Sequence, residues 1–176
     1  KALRFRIQRT IGNILNEIGQ ISEAILEYEA ISMNSEADLE ACFNLLLCHV
    51  QSGNIAKSKQ TFLRMLTITK PLYKKGQSSK QKHVDTYGGG TDNILEKTTL
   101  TLVTAARVIC SQLYPEEKWK EGYMWVKEEA KKRKMSIVNQ IELNLALEHL
   151  KRGNYNEATN IMKSFETKDI EMTADI

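Results

Sequence analysis

Three stretches of this chain share one pattern, and the pattern limits the fold more than any bulk property does. Residues 19–28 read GQISEAILEY, residues 53–62 GNIAKSKQTF and residues 153–162 GNYNEATNIM. Each opens on a glycine, places a small residue sixth (Ala24, Ser58, Ala158) and a bulky one tenth (Tyr28, Phe62, Met162). Gly19 and Gly53 stand 34 residues apart. Apolar residues at helical spacing flank each glycine, so each stretch marks the turn between two helices.

The spacing resembles that of tetratricopeptide repeats, whose period is roughly 34 residues. With each turn glycine at position 15 of a unit, the register can be tested residue by residue. Position 8, where two helices cross closely, asks for a small residue and holds Gly12, Leu46 and Ala146. Position 7 asks for a large apolar residue and holds Ile11, Leu45 and Leu145. Small residues let the backbones approach and large ones fill the gap. The predicted helices are 1–18 (with Leu3, Ile7, Ile11, Leu15 and Ile18), 21–33, 37–51 and 55–69, the last ending before Pro71. Asn34 or Ser35 is expected to cap the third helix.

Between Gly53 and Gly153 the period fails. Residues 71–93 are rich in Lys, Gly and Ser and carry no helical period, which reads as a flexible insertion. An irregular helical pair is expected over 94–136, with Trp119, Tyr123 and Val126 on one face. Helices follow at 137–151 and 154–166. The expected organisation is a repeat over 1–36, a second over 37–70, the insertion 71–93, the irregular pair 94–136, a third repeat over 137–170 and a tail at 171–176. The fold class is all-α, a tetratricopeptide-repeat right-handed superhelix with a disordered insertion, cut from a longer array.

Composition removes several functions. A net charge of +3 is too small to imply nucleic acid. No apolar run nears the roughly 20 residues that span a membrane. No signal peptide is visible, and a start at Lys1 rather than Met reads as an excised fragment. Cys42, Cys48 and Cys110 form no CxxC pair and read as free thiols. No cofactor and no metal are expected. Gly88, Gly89 and Gly90 lack the following Lys-Ser/Thr of a phosphate loop. His49 and His149 both fall at position 11, a core-packing slot, and His83 lies in the insertion. No catalytic set can be read from the spacing, so the chain is not expected to be an enzyme. The KKRK run at 131–134 reads as a solvated helix end offset by Glu128 and Glu129. Lys70, Lys74, Lys75, Lys80 and Lys82 form a looser basic cluster.

The third helix, ACFNLLLCHV at 41–50, is apolar almost all round and so is expected to be buried on more than one side. Positions 5, 9 and 12 would line an inner groove. They hold Phe43, Leu47 and Val50 in the second unit and Leu143, Leu147 and Leu150 in the last. Phe43, Leu47, Val50, Leu143 and Leu147 are the candidate partner groove. Arg9, Asn13 and Asn44 supply a second possibility, a basic donor and two amides able to hold a carboxylate by charge-assisted hydrogen bonds. On that alternative the chain is a chaperone adaptor gripping acidic peptide C-termini. The next slots, Gln140 and Asn144, lack the Lys and Arg that would complete such a clamp.

Longer strings are more specific than the repeat grammar. KALRFRIQRTIGNILNEIGQISEAI (1–25), FNLLLCHVQSGN (43–54), AARVI (105–109), GYMWV (122–126) and IELNLALEHLKRGNYNEATNIMKSFETKD (141–169) occur in this order. Together they resemble the intraflagellar transport 88 (Polaris) family, tetratricopeptide subunits of the intraflagellar transport B complex. The resemblance covers all but the insertion, which tends to be acidic in the family and is Lys-rich here. It implies a scaffold without catalysis that serves cilium and flagellum assembly. It further implies contacts with other B-complex subunits, especially the 52-kDa one, and indirect association with microtubule motors. Neither nucleic acid nor membrane insertion is implied, and the implied location is the cilium or flagellum, basal body and cytoplasm.

Overall fold

A computed structural model describes the backbone at residues 2–33, 38–79, 89–112, 114 and 116–174, and side chains at 3–33, 38–72, 93–111, 114 and 116–165. Among these residues all regular structure is helical: α1 (Ala2–Glu17), α2 (Ile21–Ser32), α3 (Leu39–Gln51), α4 (Ile55–Ser79), α5 (Gly89–Gln112), a 3-10 turn at Glu116–Lys118, α6 (Trp119–Lys132), α7 (Val138–Lys151) and α8 (Tyr155–Ala174). Successive pairs form four hairpins. The even helices α2, α4 and α6 also pack on the odd helix that follows, and α1, α3, α5 and α7 meet one another in a shared layer. The all-helical repeat architecture expected from the sequence is what the chain adopts. Helices α5 and α6, where the sequence suggested an irregular pair, form the third hairpin.

The turn glycines do what their position requires. Gly19, Gly53 and Gly153 have φ of 82°, 68° and 73°, the left-handed region that a side chain disfavours. The amide after each donates back five residues, Gln20 to the Leu15 carbonyl at 2.8 Å, Asn54 to His49 at 2.9 Å and Asn154 to His149 at 2.9 Å. This closes the preceding helix. The turn from α6 to α7 repeats the geometry with Met135 donating to the Ala130 carbonyl at 3.1 Å, but its left-handed residue is Lys134, at φ 55°. Lys134 is exposed, and its left-handed backbone carries strain that glycine would not. Lys134→Gly is therefore expected to stabilise the fold by about 1 kcal/mol, read as a higher denaturant midpoint at unchanged slope. A lower midpoint would show that the strain argument fails here.

The core follows the same logic. Ala24, Tyr28 and Ile31 of α2 meet Ala41, Leu45 and Cys48 of α3 in one cluster. Cys42 and Leu46 of α3 enter a larger cluster with Phe62, Met65 and Leu66 of α4, Leu102, Ala105 and Ile109 of α5, and residues of α6 and α7. The third helix is thus buried on two sides, as its all-round apolarity predicts. At the third hairpin Gly122 lets α6 close on α5, because a Cβ there would lie 3.1 Å from the Cys110 backbone and 2.8 Å from the Tyr114 ring.

Two local expectations are corrected. The cap of α3 is Asp38, whose Oδ1 accepts from the amides of Glu40 at 2.9 Å and Ala41 at 3.3 Å. Asn34 and Ser35 lie outside the described residues. Helix α4 does not end before Pro71 but runs through it to Ser79. A proline costs a helix about 3 kcal/mol by removing one hydrogen bond and crowding the preceding turn. Here the buried stripe Phe62, Met65, Leu66 and Thr69 anchors the helix immediately before it. Of the insertion, residues 80–88 lie outside the described residues, while Gly89 and Gly90 begin α5. The apolar residues of α1 do not make a buried face. Leu3, Ile7, Ile11, Ile14 and Ile18 are all exposed, and only Phe5 and Leu15 pack on the α2–α3 cluster. The residues 34 positions after Ile7, Ile11 and Ile14 are Ala41, Leu45 and Cys48, which are buried against α2. Helix α1 offers the same face with no covering helix among the described residues.

Candidate partner groove

The odd helices place repeat positions 5, 9 and 12 along one layer, and neighbouring helices decide how open each set is. Phe43, Leu47 and Val50 are only partly exposed, because they pack on the larger cluster that α5 helps to build. Leu143, Leu147 and Leu150 stay 43–46% exposed. The five candidate groove residues therefore divide into a largely covered trio on α3 and an open pair on α7.

Arg9, Asn13 and Asn44 are brought together, in a pocket of about 330 Å³ that they share with Phe43, Glu40 and Lys97. Their polar atoms are already engaged. Arg9 Nη1 lies 2.6 Å from Asp38 Oδ2 and 2.6 Å from Glu40 Oε2, and Lys97 Nζ lies 2.7 Å from Glu40 Oε1. Two cations thus face two carboxylates. The hydrogen bond from Lys97 holds the Glu40 carboxyl below the ordinary range. Asn13 Oδ1 accepts from the Tyr28 hydroxyl at 2.7 Å and from Asn44 Nδ2 at 2.9 Å, tying α1 to α2 and α3.

Two further pockets lie between α5 and α7. One, of about 510 Å³, includes Leu95, Leu100, Val103 and Gln140; the other, of about 420 Å³, includes Arg107, Val108, Asn144, Leu147 and Lys151. Arg107 and Lys151 were missed in the sequence. The register of α5 is not set by any turn glycine, so its groove positions could not be numbered.

The titratable groups fit packing roles. His49 and His149 are buried, in the core-packing slot that position 11 marks. Burial lowers the pKa of both, so they stay neutral at neutral pH. His149 rests edge-on against Trp119 at 4.9 Å between centroids. All three thiols are free and buried. Burial pushes Cys42 up to about 11 and Cys110 up to about 12, which removes the reactive thiolate. In the KKRK run Glu129 takes both Lys132, at 2.7 Å, and Arg133, at 2.6 Å. Its carboxyl is held below the ordinary range by those hydrogen bonds, Lys132 first. Among the described residues no group of three His, Cys, Asp or Glu side chains could hold a metal, and no helix is long and apolar enough to cross a membrane.

Stacked helical hairpins with an engaged polar pocket towards α1 and open apolar side chains on α7 define a helical-repeat segment. The chain is similar to the protein described as Intraflagellar transport protein 88 homolog from Homo sapiens, at 28% identity over 181 aligned residues. The alignment covers 96% of this chain but only 22% of that relative. The family resemblance carried by the sequence strings is thereby borne out along nearly the whole chain. No family model matches the chain, and no solved structure matches it.

Proposed function

We propose that this chain is a non-catalytic scaffold segment of the intraflagellar transport B complex, needed for assembly of cilia or flagella. The observation that carries this reading is the similarity to the human intraflagellar transport 88 homologue over 96% of the chain. On this reading the segment sits at the cilium or flagellum, basal body and cytoplasm. It binds other B-complex subunits, the 52-kDa subunit foremost, through its helical surface, and meets microtubule motors indirectly. The exposed leucines Leu143 and Leu147 support a contact role, since apolar side chains clustered on one face favour a protein partner. The chaperone-adaptor alternative is the weaker one. Arg9, its basic donor, is held by Asp38 and Glu40, so a peptide carboxylate would have to displace two ion pairs.

The test is capture of the tagged full-length protein from ciliated cells, read by mass spectrometry. The other B-complex subunits are expected with the wild type. Leu147→Glu is expected to cut recovery of the groove-bound subunit about tenfold or more, the order of losing an interface anchor. Leu147 is 46% exposed, so circular dichroism should be unchanged. Recovery of chaperones with no ciliary protein would overturn the reading.

A further inference from the structure

The groove between α5 and α7 changes character along its length. Near the N-terminal ends of the two helices it is lined by Leu95, Leu100 and Val103 with Thr99, Ser136 and Gln140, and by one acid, Glu96. Further along, Val108 and Leu147 continue the apolar floor while Arg107, Asn144 and Lys151 bring donors to its edge. Leu143, one turn before Leu147, is also open to solvent.

The charge at the second end is unbalanced. Arg107 has no ion pair among the described residues, whereas Lys151 Nζ lies 3.6 Å from Glu148 Oε2. Glu148 also receives Arg152, at 3.2 Å from its other oxygen. Arg152 is shared with Glu116, at 3.5 Å, so within this pocket two cations, Arg107 and Lys151, face the one carboxylate of Glu148. In the pocket between α1, α3 and α5, by contrast, two cations meet two carboxylates. Tyr123, also at the basic end, is pushed up to about 12 by burial, so its hydroxyl stays protonated and can donate.

We propose that the α5–α7 groove docks an acidic, apolar peptide segment of a partner protein, with a carboxylate held by Arg107 and Lys151 beside Asn144 and apolar side chains laid along Val103, Leu143 and Leu147. Charge complementarity selects this occupant. The Lys-rich stretch of this chain, with Lys70, Lys74, Lys75, Lys80 and Lys82, carries the wrong sign to fill the basic end itself. The two ends also fix direction, because a segment with its acid at one end and apolar residues at the other matches the groove in one orientation. The inference rests on the scaffold reading only in taking this face as a partner surface.

The probe is a set of fluorescein-labelled dodecapeptides built from Glu, Asp, Leu, Ile and Ala, each paired with a twin in which Gln and Asn replace the acids. Binding to the chain is read by fluorescence anisotropy. At least one acidic peptide is expected to bind about tenfold or more tightly than its amide twin, as a charge-assisted hydrogen bond gives. The preference should shrink as salt rises, since exposed charges are screened over about 8 Å at physiological ionic strength. It should vanish in Arg107→Gln/Lys151→Gln, a variant that changes only exposed side chains and whose helicity serves as control. Binding by no acidic peptide, equal binding of the twins, or a preference that survives the double variant would each overturn the proposal. If it fails while full-length protein still captures the ciliary complex, the scaffold reading stands without it. If the peptides bind as expected but no ciliary subunit is captured, the groove stands and the scaffold assignment falls.

Discussion

Phe62→Ala is expected to lower the free energy of unfolding by about 3–5 kcal/mol, the usual cost of deleting a buried phenyl ring. Phe62 is fully buried in α4, and its ring lies 6.0 Å from that of Trp125 on α6 at an interplanar angle of 47°. It therefore joins the second hairpin to the third. Its cluster also contains Leu46 of α3 and Ile109 of α5, so the cavity would open where four helices meet. In a stacked-repeat protein stability is close to a sum of unit and interface terms, and an interface residue weakens both of its neighbours. Hydrogen exchange should thus quicken in α3 to α6 before α8. Denaturant unfolding gives the magnitude, and Phe62→Leu should cost much less because it leaves less empty volume. A loss below about 1 kcal/mol for the alanine variant would mean that the hairpins collapse onto the vacancy, as a close-packed core should not.

The second large effect is the opposite kind of error, overfilling. An ideal Cβ on Gly12 would sit 2.7 Å from Cε1 and 2.9 Å from Cζ of Tyr28. That ring has no room to retreat, since Tyr28 is buried and its hydroxyl is fixed on Asn13 at 2.7 Å. Gly12→Val is expected to cost about 1–3 kcal/mol from overpacking. A smaller change, Gly12→Ala, recovers up to about 1 kcal/mol from helix propensity and should be milder. The decisive measurement is a double-mutant cycle with Tyr28→Ala. Removing the ring should erase most of the Gly12→Val penalty, leaving a coupling within the range of about 0.5–3 kcal/mol seen for touching residues. Additive penalties would show that the damage lies elsewhere in α1.

Gly12 and Tyr28 also show how much of the fold could be read from the chain. A small residue at position 8 and a bulky one at position 24 are sixteen residues apart in sequence, and the helix-turn-helix register puts them in contact. The three turn glycines were legible for the same reason, because a left-handed residue leaves a strong local demand on side-chain type. Lys134 was not legible, since nothing in its chemistry announces a left-handed turn. Nor was the passage of α4 through Pro71, because a local rule about proline cannot weigh the anchoring of Phe62, Met65 and Leu66 by other helices. The groove was read in part. Its positions could be numbered where a glycine set the register, but whether a numbered leucine is open depends on the next helix.

By itself the sequence determined the class of fold, because periodic apolar residues, small residues at crossings and glycines at turns act locally and repeat. It also carried the family resemblance, in strings that no packing rule dictates. The tertiary structure alone decided which of the numbered side chains remain available. It covered Phe43, Leu47 and Val50 with the packing around α5 and left Leu143 and Leu147 open. It tied Arg9 to Asp38 and Glu40, and it brought Arg107 of α5 beside Lys151 of α7. The physical reason is range: secondary structure answers to neighbours a few residues away, whereas exposure and charge balance are set by groups that meet only when distant helices stack.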